Sequence, residues 1–478
     1  MDQKRNGAAN TKIFMTTRIN TERITKMKNH NSQITNWKLQ MNVISHWSLV
    51  ISLFSLLFAL RSPLYSSDQI PGKKQEKPIA LVGGTIHTIS GETIDNGVLT
   101  FRNGKIENVS KSFSVTTEYE KKDVTGKHIY PGLFSPWTNL GLIEIGAVRA
   151  TRDNVETGRI NPNVRAERAV NPESELIPVT RANGITYTLT APQGGVISGN
   201  AAIIQLDGWT YEDMTLKAQA GMIVNWPSMR ISTSFFERRS EEDQKKDRDN
   251  SLKEIRNAFN DAKAYWTAKN ANKIVKHDSR WEAMIPVLEK KEPVIVTADE
   301  MSQIEAAVSW AEDADVKLII AGGNDAWRVA DLLKKKNIPV ISDGTHRTPS
   351  RSYEAYDTPF LLPKKLFDAG IQFCISADEG GDGNYRNLPY QVATAVAHGL
   401  PYNEGLKAMT LYPAQIFGVD NRIGTLEVGK DATLIVTNGD ILDIRSNVEM
   451  EFIEGKKVDL SSRHTMLWEK YKEKYGKK

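Results

Sequence analysis

The sequence predicts an α/β protein: a (β/α)8, TIM-like barrel carrying a small composite β-sandwich built from both chain ends. Three observations lead there. Strand-like segments cluster near both ends of the chain. The middle alternates short apolar, β-branched runs with stretches at helical spacing, the pattern of βα units in a parallel sheet. The length, 478 residues, leaves room for a barrel of about 250 residues and an accessory domain.

Taken in order, residues 1–67 read as a leader. Ser48 to Leu60 is an uncharged apolar run of 13 residues, preceded by a basic region that includes Lys4, Arg5, Lys12, Arg18 and Arg23. That length suits the core of a signal peptide and falls short of a spanning helix. The expectation is an exported, periplasmic protein, with a membrane anchor over residues 43–60 as the alternative. Residues 68–77 form a polar linker.

The composite sandwich is expected over 78–130 and 423–460. Ile79 to Ile89 alternates like a strand. Gly97 to Arg102 and Lys105 to Val109 flank Asn103-Gly104, the signature of a type I′ hairpin. At the far end Gly424 to Gly429, Ala432 to Thr437 and Val448 to Ile453 read as further strands.

The barrel is expected over 131–422. Strands at Val294 to Thr297, Leu318 to Ala321, Val340-Ile341 and Phe373 to Ser376 alternate with helices at Met301 to Asp313, Asp325 to Lys336 and Pro363 to Ala369. Residues 236–284 are long, charged and helix-favouring, and read as an inserted helical pair that either lids a site or packs on the barrel. Residues 461–478 form a basic tail.

Hydrophobic residues make up 40% and charged residues 25%, ordinary globular usage. The net charge of +4 resides largely in the leader, so no nucleic-acid surface is indicated. The single cysteine, Cys374, lies in an apolar run and reads as a buried, inert thiol.

Two segments carry a resemblance. Asp123-Val124-Thr125-Gly126-Lys127 leading into Tyr130-Pro131-Gly132-Leu133 is similar to the approach to the first barrel strand of the amidohydrolase superfamily. Gly424-Thr425-Leu426-Glu427-Val428-Gly429-Lys430-Asp431-Ala432 resembles that superfamily's returning sandwich segment, and Met409 to Gln415 resembles its last barrel helix. The match covers residues 78–456 and is nearest to the imidazolonepropionase-like amidohydrolases. It implies a hydrolase of carbon–nitrogen bonds in cyclic amides or small peptide-like compounds.

The superfamily places a His-x-His pair at the end of the first strand, because two imidazoles one residue apart project to the same side and share a divalent ion. The matching positions here are Trp137 and Asn139. An indole N–H is a donor only, and an amide oxygen is a weak ligand for zinc. The fifth- and sixth-strand histidines match Thr297-Ala298 and Ala321-Gly322-Gly323. The eighth-strand aspartate has a counterpart, Asp378. No cofactor is therefore expected, and no metal residues are assigned. Zinc enters only if an unusual ligand set exists.

Of eight histidines, His346 alone stands well placed, after the strand Val340-Ile341. Asp378 and His346 are the candidate catalytic pair, base and acid. Asn139, Thr297, Arg347, Arg386 and Asn387 are the candidate substrate-binding residues. The glycine-rich Gln193-Gly194-Gly195 and 379–384 are read either as ligand-approach loops or as turns. Two functions stay open: a hydrolase with a degraded metal site, or a catalytically inactive barrel that binds a small ligand. The expected partners are a small molecule and either a second copy of the chain or a metal-bearing relative.

Overall fold

The computed structural model describes residues 69–273, 276–377 and 383–476. The leader, with its apolar run 48–60, lies outside the described residues, as do Asp378 and most of the second glycine-rich stretch. No helix among the described residues is long and apolar enough to cross a membrane.

Two eight-stranded sheets organise the body. The first gathers β1 (Ile79–Ile86), β2 (Ile94–Arg102), β3 (Lys105–Ser110), β4 (Glu120–Asp123) and β5 (His128–Pro131) from the early chain. The second is the barrel: β6 (Leu133–Thr138), β7 (Ile185–Thr190), β8 (Ile197–Gln205), β9 (Thr215–Asn225), β10 (Val294–Ala298), β11 (Leu318–Gly322), β12 (Val340–Ser342) and β13 (Phe373–Ile375). The chain then returns to the first sheet with β14 (Leu434–Thr437), β15 (Val448–Ile453) and β16 (Lys456–Lys457).

In the first sheet the order is β16-β15-β14-β5-β1-β2-β3, with β4 also beside β1. The two chain ends meet where β14 pairs antiparallel with β5, Ile435 opposite Tyr130. The β2–β3 turn has positive φ at both Asn103 (50°) and Gly104 (78°), the type I′ geometry that Asn-Gly favours. The sheet wraps a core of its own, in which Phe101 and Phe452 meet edge to face at 5.0 Å. Burying one such ring contributes roughly 2 kcal/mol. Gly424 to Gly429 does not form the expected strand. Gly424 (φ 93°) and Gly429 (φ 90°) turn the chain, and only Leu426 reaches that core.

The barrel strands run in the order β13 to β6, with β6 and β13 side by side but unpaired, so the barrel is nearly closed. It departs from a uniform parallel sheet at β8, which is antiparallel to both neighbours. The cause is connector length. Only residues 191–196 join β7 to β8, whereas a parallel return needs a crossover of about a dozen residues. From β9 onward every pair is parallel. Phe134, Tyr187, Ile203, Ile223, Ile295, Ile319, Ile341 and Cys374 fill the interior. Full burial pushes the Cys374 thiol up, as expected of an inert cysteine.

The helical layer comprises α1 (Leu176–Arg181), α2 (Tyr211–Met214), α3 (Glu241–Asn270), α4 (Ser279–Leu288), α5 (Met301–Ala314), α6 (Ala330–Lys335), α7 (Thr358–Asp368), α8 (Leu388–Ala397), α9 (Tyr402–Ala408), α10 (Leu411–Ile416) and α11 (Arg463–Tyr475). The charged pair α3 and α4 forms the crossover between β9 and β10. Ser240 caps α3 by accepting from the Asp243 N–H at 3.0 Å. One face of α3, Ile255, Ala258, Phe259 and Ala262, packs on the barrel's outer layer, with Phe259 edge-on to Trp310 at 4.8 Å.

Candidate functional site at the carboxyl ends of the barrel strands

The parallel strands of a barrel deliver their last residues to one face, where loops have freedom to carry chemistry. Here that face presents an arc of polar side chains at or after consecutive strands, half-buried except for the exposed Asp299. At the end of β9, Asn225 donates to Gly195 O at 3.1 Å and to Ser198 Oγ at 2.9 Å, and its Oδ1 accepts from Thr297 Oγ1 of β10 at 3.2 Å. Beyond β10, Asp299 Oδ1 accepts from Asn324 Nδ2 at 2.8 Å. The Arg347 guanidinium, from the loop after β12, donates in turn to Asn324 Oδ1, while its Nε donates to Gly344 O at 3.1 Å.

Asp299 is exposed to solvent, yet the surrounding chain crowds its carboxylate. That crowding pushes its carboxyl above the ordinary range, and Arg347 pulls it back. Gly322 leaves the room: a Cβ there would stand 2.4 Å from Asp299 Oδ1. Behind the arc, buried Asp325 binds Arg351 Nη1 at 2.9 Å, Arg328 Nε at 3.0 Å and the Met301 N–H at 3.1 Å. Burial works against its charge, but these donors hold it below the usual carboxylate range.

On the other side of the mouth Trp137 lies near the end of β6 and Asn139 directly follows the strand. A register break between Ser135 and Thr138 turns Trp137 against the barrel interior. Asn139 is almost fully buried. Its N–H donates to Tyr385 Oη at 3.1 Å, and that phenol donates to Asn139 Oδ1 at 2.6 Å.

A model of the amidohydrolase family matches residues 360–458. The amidohydrolase tasK of Hapsidospora irregularis is 21% identical over 426 residues, covering 82% of this chain and 42% of that protein. An imidazolonepropionase of Symbiobacterium thermophilum is 26% identical over 147 residues, 30% of this chain and 33% of its own. The chain thus spans well under half the length of these curated relatives. Among solved structures, an amidohydrolase from Thermotoga maritima superposes with a TM-score of 0.72 at 26% identity, covering 80% of this chain and 99% of that one. The chain thus resembles the amidohydrolase superfamily, in fold over most of its length and in sequence over residues 360–458.

Beside the amidohydrolases it resembles, this chain has an unusual donor set at the strand ends. The positions matching the superfamily's metal ligands are Trp137 and Asn139, Thr297-Ala298, Ala321-Gly322-Gly323 and Asp378, the last outside the described residues. Indole donates only, the Asn139 amide oxygen is taken by Tyr385, and neither a threonine hydroxyl nor a glycine is a zinc ligand of ordinary strength. Among the described residues no three His, Cys, Asp or Glu side chains converge as a metal group. These residues do not fit a zinc centre.

Of the residues singled out in the sequence, Thr297 and Arg347 join the polar arc, and Asn139 stands at the mouth bonded to Tyr385. His346 is exposed, with Nε2 2.7 Å from Thr394 Oγ1 of α8 and its backbone N–H on Gln391 Oε1 at 2.8 Å. Arg386 pairs with His464 of α11 at 2.9 Å, and Asn387 sits at the start of α8. Asp378 lies outside the described residues. The Gly194-Gly195 turn gives close approach to chain, not to open space: Cβ atoms there would meet Val155 and the Arg159 carbonyl. Sequence reasoning missed Asn225, Asp299, Asn324 and Tyr385. A signal existed for Asn324, a polar residue directly after a Gly-Gly pair whose φ values are both positive.

Proposed function

We propose that this protein hydrolyses carbon–nitrogen bonds in small, cyclic amide-like substrates, using its side chains in place of the superfamily's metal. The observation that supports this reading is the arc Asn225–Thr297–Asp299–Asn324–Arg347, a chain of oriented polar groups on the face where barrels do chemistry.

The roles follow from the donors. Arg347, oriented by Asn324 and through it by Asp299, offers a fixed cation to a substrate carbonyl, where charge develops during attack. Thr297 offers a hydroxyl for orientation. Asp378, three residues past the end of β13 in the sequence, is the proposed base: it takes a proton from water as the oxygen adds to the carbonyl carbon. When the carbon–nitrogen bond breaks, the same carboxyl returns that proton to the leaving nitrogen. His346, held on Thr394, is not needed in this scheme. The basic stretch and apolar run of residues 1–60 place the reaction, in the same proposal, in an exported protein.

The test is ring opening across lactams, hydantoins and cyclic imides, with zinc content measured on the same preparations. Turnover with less than one zinc per chain, lowered about 100-fold by Arg347→Ala and by Asp378→Asn, is the expected result. One or more tightly bound divalent ions per chain would overturn the metal-free scheme. The second reading, an inactive barrel that binds a small ligand, is favoured by the Asn139–Tyr385 bonds, which occupy a first-strand polar group. Micromolar binding of one of these rings without any turnover would establish it.

A further inference from the structure

At the opposite, amino-terminal face of the barrel lies a cavity of about 680 Å³ that the site above does not use. Part of its wall is apolar, formed by Leu318, Ile338, Pro339 and Phe417, while Glu312, Asp315, Asn337, Gln372 and Gln415 add polar groups. Five lysines surround it: Lys217, Lys290, Lys291, Lys317 and Lys336. Three have acidic partners. Lys290 meets Asp315 at 2.6 Å, Lys291 meets Glu289 at 2.6 Å, and Lys336 pairs with Glu312.

The other two do not. The Lys217 ammonium, half-buried, donates to the Phe417 carbonyl at 2.7 Å, and among the described residues neither it nor Lys317 has an ion-pair partner. Burial lowers the Lys217 pKa, Glu292 opposes this, and the neighbouring charge of Lys317 adds to it. Two cations that repel each other beside an apolar wall form a complement to one kind of ligand. We propose that this cavity binds an amphipathic anion, its carboxylate or phosphate head on Lys217 and Lys317 and its apolar tail along Leu318, Ile338 and Phe417. The volume lies within the range of small-molecule sites. The inference is independent of the reaction at the other face.

Isothermal titration of the full chain with decanoate tests it, with decyl phosphate, decanol and inorganic phosphate as further arms. Decanoate or decyl phosphate is expected to bind at least about tenfold more tightly than decanol or inorganic phosphate; the stronger of the two identifies the head group. Lys217→Met should weaken that binding about tenfold. Lys317→Gln, at an exposed position with no packing role, should weaken it several-fold and guards against misfolding of the first variant. Arg347→Ala should leave it unchanged. No decanoate or decyl phosphate binding, equal binding of decanol, insensitivity to Lys317→Gln, or loss on Arg347→Ala would each overturn the proposal.

Discussion

Asn139 and Tyr385 lie 246 residues apart in the chain and exchange two hydrogen bonds in a nearly closed environment. Removing the phenol oxygen leaves a buried amide oxygen without that donor, which costs about 1–3 kcal/mol. Tyr385→Phe should therefore lower the melting temperature by about 2–4 °C, read by circular dichroism. Glu292 gives a pH-dependent counterpart. Burial raises its pKa to about 7, against the pull of Lys217 and Arg165, and its Oε2 is buried without a hydrogen-bond partner. For an acid raised in the folded state, the fold binds the extra proton. Its stabilising contribution is full below about 4.5 and disappears as pH rises through about 7. The urea midpoint of the wild type should thus fall between pH 5 and pH 8 more than that of Glu292→Gln. Parallel slopes would refute the assignment. Thr297 and Arg347 were legible in the sequence because they lie at or just after apolar strands. Asp299 was not, since its partner Asn324 comes from the next loop.

At the scale of elements, Gly322 joins β11 to the site. Its φ of 98° is strained for any residue with a Cβ, and that Cβ would also displace the Asp299 carboxylate. Gly322→Ala should cost about 1–3 kcal/mol of stability by denaturant titration and lower ring-opening turnover or ring binding as well. A stability loss with the site's behaviour intact would separate Asp299 from function. The run β10 to β13 with its helices could be read directly, because short β-branched segments alternate with helical periodicity. The stretch β7 to β9 could not. β7 and β8 are buried on both faces, so they lack two-residue alternation, and β8 includes Ser198, Gly199 and Asn200, which do not read as a strand. The misread segment Gly424 to Gly429 shows the converse: alternating Leu426 and Val428 mimic a strand, while the flanking glycines bend the chain away.

For the whole molecule, the pairing of β5 with β14 matters most. Deleting residues 434–478 would remove β14 to β16, strip β5 of its neighbour and open the core around Phe101. Such a truncation should yield insoluble or protease-sensitive protein, whereas deleting only 463–478, a helix with no buried residue, should leave the melting temperature within about 2 °C. The two-ended architecture was legible at this scale because strand patterns at distant positions need a common sheet; the antiparallel β8 was not, because connector length shows only once the strand limits are known.

The meeting of β5 and β14 also sets a schedule. Tyr130 leaves the ribosome some three hundred residues before Ile435, its cross-strand mate. During that interval the apolar face of the early strands has no cover, and translation must finish before the sheet can close. A nascent polypeptide in that condition is a ready client for a holdase.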